Sequence, residues 1–264
     1  MLIGRRHELF ALREAILARQ SLLVYGDPGA GKTALLTEVL SDLPPYIRRN
    51  CLLCSVHESP CAIWRSLTRS LAQVDDPEVR SRMNREYDCS AATDRWLRRQ
   101  TSLRLRGILR RAMSENPYCV LFDTACRLPD AVYPLLQEWV WSQRTPVILL
   151  ARGSSERELG RVARLYWHGA MRLELAAMAL LDLEAFLDQS ILRWNLGRVA
   201  DREFRRFVLQ QAHGLPGAIA QLCELATQTA YHSSGRLKLH TLAVDFRLYR
   251  YTPNSSLERT KNHA

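Results

Sequence analysis

GDPGAGKT, residues 26 to 33, is the stretch whose reading decides the fold. Its glycines let the backbone wrap closely enough for N–H groups to point at phosphate oxygens, and a helix N-terminus following the loop adds positive potential. Lys32 is placed to reach the β and γ phosphates, and Thr33 to set its hydroxyl on magnesium. Gly26, Asp27, Pro28, Gly29, Ala30, Gly31, Lys32, Thr33 and the adjoining Ala34 are therefore the candidate nucleotide contacts. SLLVY, residues 21 to 25, is a short apolar strand entering the loop, and Thr33 to Leu40 continues as a helix. Strand, loop and helix in that order are the context a phosphate-binding loop requires.

Working outward, Leu9, Leu12 and Ile16 recur at helical spacing between Arg5 and Arg19, which predicts an amphipathic helix before the loop. Downstream come a strand over Arg49 to Val56, a helix over Ala62 to Ala72, and DDPEVRSRMNREYDCS, residues 75 to 90, a polar and exposed connection. A long helix from Thr93 to Met113 leads to the buried strand YCVLFD. A helix over Asp130 to Trp141, the strand PVILLAR and a last strand MRLEL, residues 171 to 175, complete the pattern. Strands alternating with helices predict an α/β fold, a parallel sheet with helices on both faces. After Ala176 only helices follow, over Asp182 to Trp194, Asp201 to His213, Pro216 to Tyr231 and Leu239 to Tyr249. Gly214 and Gly235 are expected stops, and Pro216 suits a first turn. The expected domains are a P-loop α/β domain over 1–176, a small helical lid over 177–250, and a flexible tail over 251–264.

Phosphate-bound magnesium needs a second protein anchor, and an acid at the C-terminal end of a buried strand supplies it. Asp123, ending CVLFD, fits that role. Arg152 ends PVILLAR on the same edge of the sheet, where it can sense the γ phosphate or pair with a local acid such as Glu156.

The 264-residue chain, 47% hydrophobic, is long enough to bury a large core. It lacks an apolar run of membrane-spanning length, and MLIGRRHELF lacks a secretory apolar block, so a soluble cytoplasmic protein with no membrane partner is expected. The net charge of +10 rests on three lysines (Lys32, Lys238, Lys261) and 34 arginines. Such a charge favours anionic partners. Seven arginines and no acid lie between Arg95 and Arg111, and Arg95, Arg99, Arg106 and Arg110 fall on one side of the expected long helix. That stripe is a candidate contact for duplex DNA or an ordinary solvated face. Seven cysteines in a reducing compartment do not indicate a disulfide framework. The Cys51, Cys54, His57 and Cys61 spacing superficially resembles a zinc knuckle. Strand positions three apart point to opposite faces, however, so buried thiols are expected there.

IGRRHEL, GDPGAGKT, VLFD, LLAR and HGLPGAI, taken in order, resemble an AAA+ ATPase module, particularly of the STAND and Orc/Cdc6-like branch, over residues 2 to 232. The resemblance implies ATP and Mg2+ as cofactors, with Ile3, Gly4 and Arg5 near the adenine and ribose. It further implies Arg152 as the sensor, Pro216 packed against the base, and Arg161 or Arg164 as an arginine finger acting on a neighbouring copy's nucleotide. Lys32, Asp123, Arg152 and Arg164 are on this reading the catalytic set.

Two departures from that pattern stand out. Where the resembled family usually has a second acid that polarises the attacking water, this sequence has Thr124, and a hydroxyl without a neighbouring base accepts a proton poorly. No further domain of normal size is expected after the lid. The sequence therefore predicts a slowly hydrolysing nucleotide-dependent switch or assembly factor, able to form a homo-oligomer and acting on DNA or a partner protein. Its rivals are an ATP-gated scaffold that does not hydrolyse and a small-molecule P-loop kinase.

Overall fold

The computed structural model describes residues 2–55, 59–86, 93–123, 128–167, 171–233 and 236–251. The chain forms two compact units, Met1–Pro28 with Lys32–Ala176, and Gly29–Gly31 with Ala177–Ala264. No described helix is long and apolar enough to cross a membrane.

The first unit runs α1 (Arg6–Leu17), β1 (Leu22–Gly26), α2 (Lys32–Asp42), α3 (Pro45–Arg49), β2 (Cys51–Cys54), α4 (Pro60–Gln73), α5 (Pro77–Glu86), α6 (Thr93–Arg99) and α7 (Ser102–Glu115). It continues through β3 (Cys119–Phe122), α8 (Tyr133–Ser142), β4 (Val147–Arg152), α9 (Glu156–Leu159), α10 (Arg161–Leu165) and β5 (Arg172–Glu174). The five strands form one sheet in the order β2-β3-β4-β1-β5, every pairing parallel. Sequence composition maps onto that order. The unbroken apolar runs CVLF and VILLA are buried throughout and occupy central positions. The edge strands β2 and β5 leave side chains in solvent, Leu53 and Glu174 among them. A parallel sheet covered by helices on both faces needs apolar residues at consecutive positions only in its interior strands.

Residues 75 to 90, expected as an irregular connection, contain α5. Asp76 explains the difference: only 1% exposed, it accepts the Glu78 and Val79 N–H groups at 3.1 Å each through Oδ1, capping the helix. Its Oδ2 accepts from the Tyr118 hydroxyl at 2.8 Å and from Asn116 Nδ2 at 3.3 Å. Val79 is buried beneath, and Glu78 pairs with Arg82 at 2.6 Å. Burial, with Asp76 as acceptor, pushes the Tyr118 hydroxyl well above the ordinary phenol range. Removing a buried acceptor that serves several donors strands all of them, so Asp76→Ala is expected to lower unfolding stability by about 2–4 kcal/mol, read from urea denaturation.

The long helix expected over Thr93 to Met113 is two helices, α6 and α7. Thr101 takes an extended conformation and its hydroxyl accepts the Arg104 N–H at 3.3 Å, starting α7 afresh. The Arg65 guanidinium donates to the Leu97 and Arg98 carbonyls, each at 3.2 Å, closing α6. The single-helix arginine stripe is therefore corrected: Arg95 and Arg99 sit on α6, Arg106 and Arg110 on α7. Arg110 is ion-paired with Glu138. Likewise the strand expected from Arg49 to Val56 is, among the described residues, the shorter β2 preceded by α3, since Pro44 and Pro45 suit a helix start; Val56 lies outside the described residues.

The second unit contains α11 (Leu180–Arg193), α12 (Arg202–Ala212), α13 (Pro216–Ala226), a hairpin of β6 (His232–Ser233) and β7 (Arg236–Leu237), and α14 (Leu239–Tyr251). The helix expected over Pro216 to Tyr231 ends at Ala226, followed by a separate 3-10 turn over Thr229–Tyr231. α13 packs against α11, α12 and α14, burying Ile219, Leu222 and Cys223 with Leu187, Phe204 and Phe246. Burial pushes the Cys223 thiol up to about 12. α12 stops where His213 turns left-handed, ahead of Gly214 at φ +82°. The expected stop at Gly235 and the tail beyond Tyr251 lie outside the described residues.

Candidate functional site

The sheet order sets the site. The chain leaves β1, crosses to β2 at the far edge, and returns through β3 and β4 to pair with β1 again. In such a sheet, ligands sit beyond the carboxyl ends of strands where the order reverses. The residues at that edge are Gly26, Asp123 and Arg152.

Gly26 ends β1 at φ +152°, and a Cβ there would come 2.6 Å from the Leu175 carbonyl oxygen, so the loop leaves the sheet through a position that only glycine fits. Gly29 and Gly31 follow at φ +87° and +97°. Lys32, 8% exposed, donates its ammonium to the Gly26 and Asp27 carbonyls at 2.7 and 2.9 Å, which folds the side chain back along the loop. Thr33 follows Lys32 in the first turn of α2, and its hydroxyl donates to Asp123 Oδ1 at 3.0 Å. The Asp123 backbone N–H is held by the Cys54 carbonyl at 3.1 Å, anchoring the end of β3 to β2. A hydroxyl oxygen and a carboxylate oxygen in contact form a donor set that suits a hard divalent cation, and the ammonium of the neighbouring Lys32 suits the phosphate it carries. Ala30 is buried and Ala34 exposed on the first turn of α2.

Arg152 pairs in register with Gly26 at the end of β4, and its side chain is exposed. Glu156, the acid weighed as its partner, binds Arg172 at 2.8 Å instead. Gly153, next in the chain, donates its N–H to the Gly26 carbonyl at 3.2 Å.

Arg5 is buried, and its guanidinium donates to Glu8 at 2.8 Å and to the Ala176 carbonyl at 2.6 Å. It thereby ties the start of α1 to the end of the sheet, while Ile3 and Gly4 precede it at the surface of the unit. Pro216 begins α13. Within the second unit, the Gly217 N–H donates to the Gly29 carbonyl at 2.8 Å. Arg161 is committed to Asp130 by an ion pair and lies 4.8 Å over the Tyr133 ring. Arg164 is exposed on α10, and its side chain has no ion pair among the described residues. Thr124 and His57 lie outside the described residues. In β2, Cys51 is half-buried and Cys54 buried, as strand alternation requires. Cys51 is the register partner of Cys119, and the neighbouring Cys119 thiol holds Cys51 below the ordinary thiol range, while Cys51 and burial push Cys119 above it.

Sequence reasoning passed over one feature of the first unit, a cavity of about 950 Å³ lined by Trp141, Trp167 and several arginines. Its residues come from α8, α9, α10, β5 and their connections, and two of those helices carried no expectation. The only signal in the sequence is a pair of tryptophans beside polar residues.

A family profile described as an AAA ATPase domain matches residues 1–150. No curated protein sequence matches the chain. Among solved structures, an Orc1 protein of Aeropyrum pernix in complex with DNA superposes with a TM-score of 0.62 at 16% identity, covering 96% of this chain and 70% of that one. The Walker-type ATPase PABY2304 of Pyrococcus abyssi gives 0.60 at 17% identity, covering 100% and 77%. Cdc6p of Pyrobaculum aerophilum gives 0.56 at 12% identity, covering 93% and 63%. At these identities the likeness is one of fold.

Proposed function

This chain belongs to the AAA ATPase domain family, and on that premise we propose that it is an ATP- and Mg2+-dependent switch or assembly factor that holds its nucleotide far longer than it takes to bind it. The observation that carries the reading is the 3.0 Å contact between Thr33 and Asp123 beside the buried Lys32. Thr33 and Asp123 would hold the metal, which when bound neutralises phosphate charge. Lys32 and the loop N–H groups would bind the β and γ phosphates, and Arg152, exposed at the end of β4, would register whether the γ phosphate is present.

Hydrolysis requires a group that takes a proton from water. The residue after Asp123 is Thr124, and a hydroxyl is a poor proton acceptor at neutral pH. Binding energy then goes to holding one conformation rather than to rapid turnover, which is the behaviour of a timer. The output of the switch is contact with DNA or a partner protein, in keeping with the charge of +10.

The reading is tested by thermal unfolding with ATP, ADP, GTP and a slowly hydrolysed ATP analogue, each with Mg2+ or with EDTA. A ligand at a hundredfold over its Kd stabilises by about 2.7 kcal/mol. ATP and the analogue are expected to raise Tm in a Mg2+-dependent manner, with GTP weaker. Equal shifts for ATP with and without Mg2+ would remove Thr33 and Asp123 from the site.

A further inference from the structure

Trp141 lies in the last turn of α8 and Trp167 follows α10, and their rings are 6.2 Å apart between centroids and 23° from parallel. They are 51% and 72% exposed. Exposed aromatic pairs of this size are uncommon on a folded surface and mark places where something else covers them.

Their exposure is built in. Tyr166, the residue before Trp167, is fully buried and donates its hydroxyl to the Val147 carbonyl at 2.9 Å, so its neighbour is turned outward. Trp141 Nε1 donates to the Leu165 carbonyl at 3.3 Å, fixing the second ring. Arg172 ties β5 to the same segment by donating to the Tyr166 carbonyl and, at 2.8 Å, to the Ala163 carbonyl. The two rings therefore form a platform that costs little ordering when a ligand arrives.

Around the platform the cavity carries Arg157, Arg161, Arg164 and Arg172 against the single carboxylate of Glu156. Arg172 already pairs with Glu156, and Arg161 with Asp130. The side chains of Arg157 and Arg164 have no ion pair among the described residues. Aromatic faces bordered by unneutralised guanidinium groups match a ligand that carries planar rings and anionic groups along one strand.

We propose that this cavity binds single-stranded nucleic acid, with bases stacked on Trp141 and Trp167 and phosphates met by Arg157 and Arg164. A duplex keeps its base faces covered by neighbouring pairs and would leave the tryptophans unused, whereas an unpaired strand offers a π-face at every base. The excess of positive charge over the whole chain attracts the same ligand at a distance. The site shares no residue with the phosphate loop, so it extends the nucleotide reading and does not depend on it.

The test uses the full chain and labelled oligo-dT and oligo-U of about 15 nucleotides, near the upper site size of single-strand binders, with a duplex of equal length. Anisotropy and quenching of tryptophan fluorescence are read together. Single strands are expected to bind more tightly than duplex and to quench. Trp167→Ala should raise Kd on the order of tenfold, and Trp167→Phe should recover most of that loss. Arg157→Ala should reduce the slope of log affinity against log salt by about 0.7. The ATP-induced Tm shift should persist in these variants, which separates failure here from failure of the nucleotide reading. Preference for duplex, unchanged oligonucleotide affinity in Trp167→Ala, or loss of self-association in that variant with strand binding intact would each overturn the proposal. The last outcome would give the platform to a second copy of the chain.

Discussion

Lys32→Ala is expected to weaken ATP binding by about two orders of magnitude. Removing one partner of a buried, charged hydrogen-bonded contact costs ~2–5 kcal/mol, and each 1.4 kcal/mol is about tenfold. The ammonium is buried and is already aimed along the loop by the Gly26 and Asp27 carbonyls at 2.7 and 2.9 Å. Phosphate binding therefore exchanges neutral acceptors for charged ones instead of ordering a free side chain. Those two carbonyls also lose a donor in the variant, so calorimetric ATP titration must be accompanied by Tm without nucleotide. Lys32→Arg, which keeps the charge on a bulkier head, should retain apo stability better than affinity. In the unmutated chain, saturation worth about 2.7 kcal/mol corresponds to a Tm rise of roughly 5–10 °C at this size. That rise should vanish in Lys32→Ala. ATP binding that survives the substitution would end the reading of GDPGAGKT as a phosphate cradle.

The second large effect concerns cleavage. Asp123→Ala is expected to abolish the Mg2+ dependence of binding and whatever hydrolysis the chain performs, because the carboxylate that meets Thr33 at 3.0 Å is gone. Thr124→Glu is expected to act in the opposite direction. General-base assistance contributes about a hundredfold to ten-thousandfold, or ~3–5 kcal/mol of barrier, and a threonine hydroxyl is a poor proton acceptor for it. Single-turnover hydrolysis should accelerate by about a hundredfold when the acid is introduced, with ATP affinity little changed. An unmutated protein that turns over faster than about one per second, indifferent to residue 124, would show that another group orients the water. A chain that binds ATP and never cleaves it, even with Thr124→Glu, would be the scaffold among the rival readings.

Much of this protein is legible from adjacent residues. GDPGAGKT is a local motif whose geometry is written in three glycines, a lysine and a threonine, and the runs CVLF and VILLA announce strands covered on both faces. Periodicity failed where one side chain outweighed a window of neighbours. Asp76 lies at the head of a polar stretch, yet as a buried acceptor it starts a helix and binds Tyr118 from a different element. Thr101 and Arg65 end one helix and begin another inside a stretch whose arginine and leucine spacing reads as continuous.

The partners of charged groups belonged to the tertiary structure alone. Nothing in the sequence says that Glu156 goes to Arg172 rather than Arg152, or that Arg161 is committed to Asp130 while Arg164 stays exposed. In a chain with 37 basic and 27 acidic residues, arginines compete for carboxylates, and proximity after folding decides the outcome. Strand order is of the same kind. Thr33 and Asp123 are 90 residues apart, and their contact exists because β3 and β1 flank β4 with their carboxyl ends at one edge. The sequence by itself determined a phosphate loop and the strands that carry it, since hydrophobic runs and turn residues act over a few positions. Only the tertiary structure decided which acid meets which hydroxyl, which arginines remain exposed, and where two tryptophans face solvent, because those pairings depend on distances no local pattern encodes.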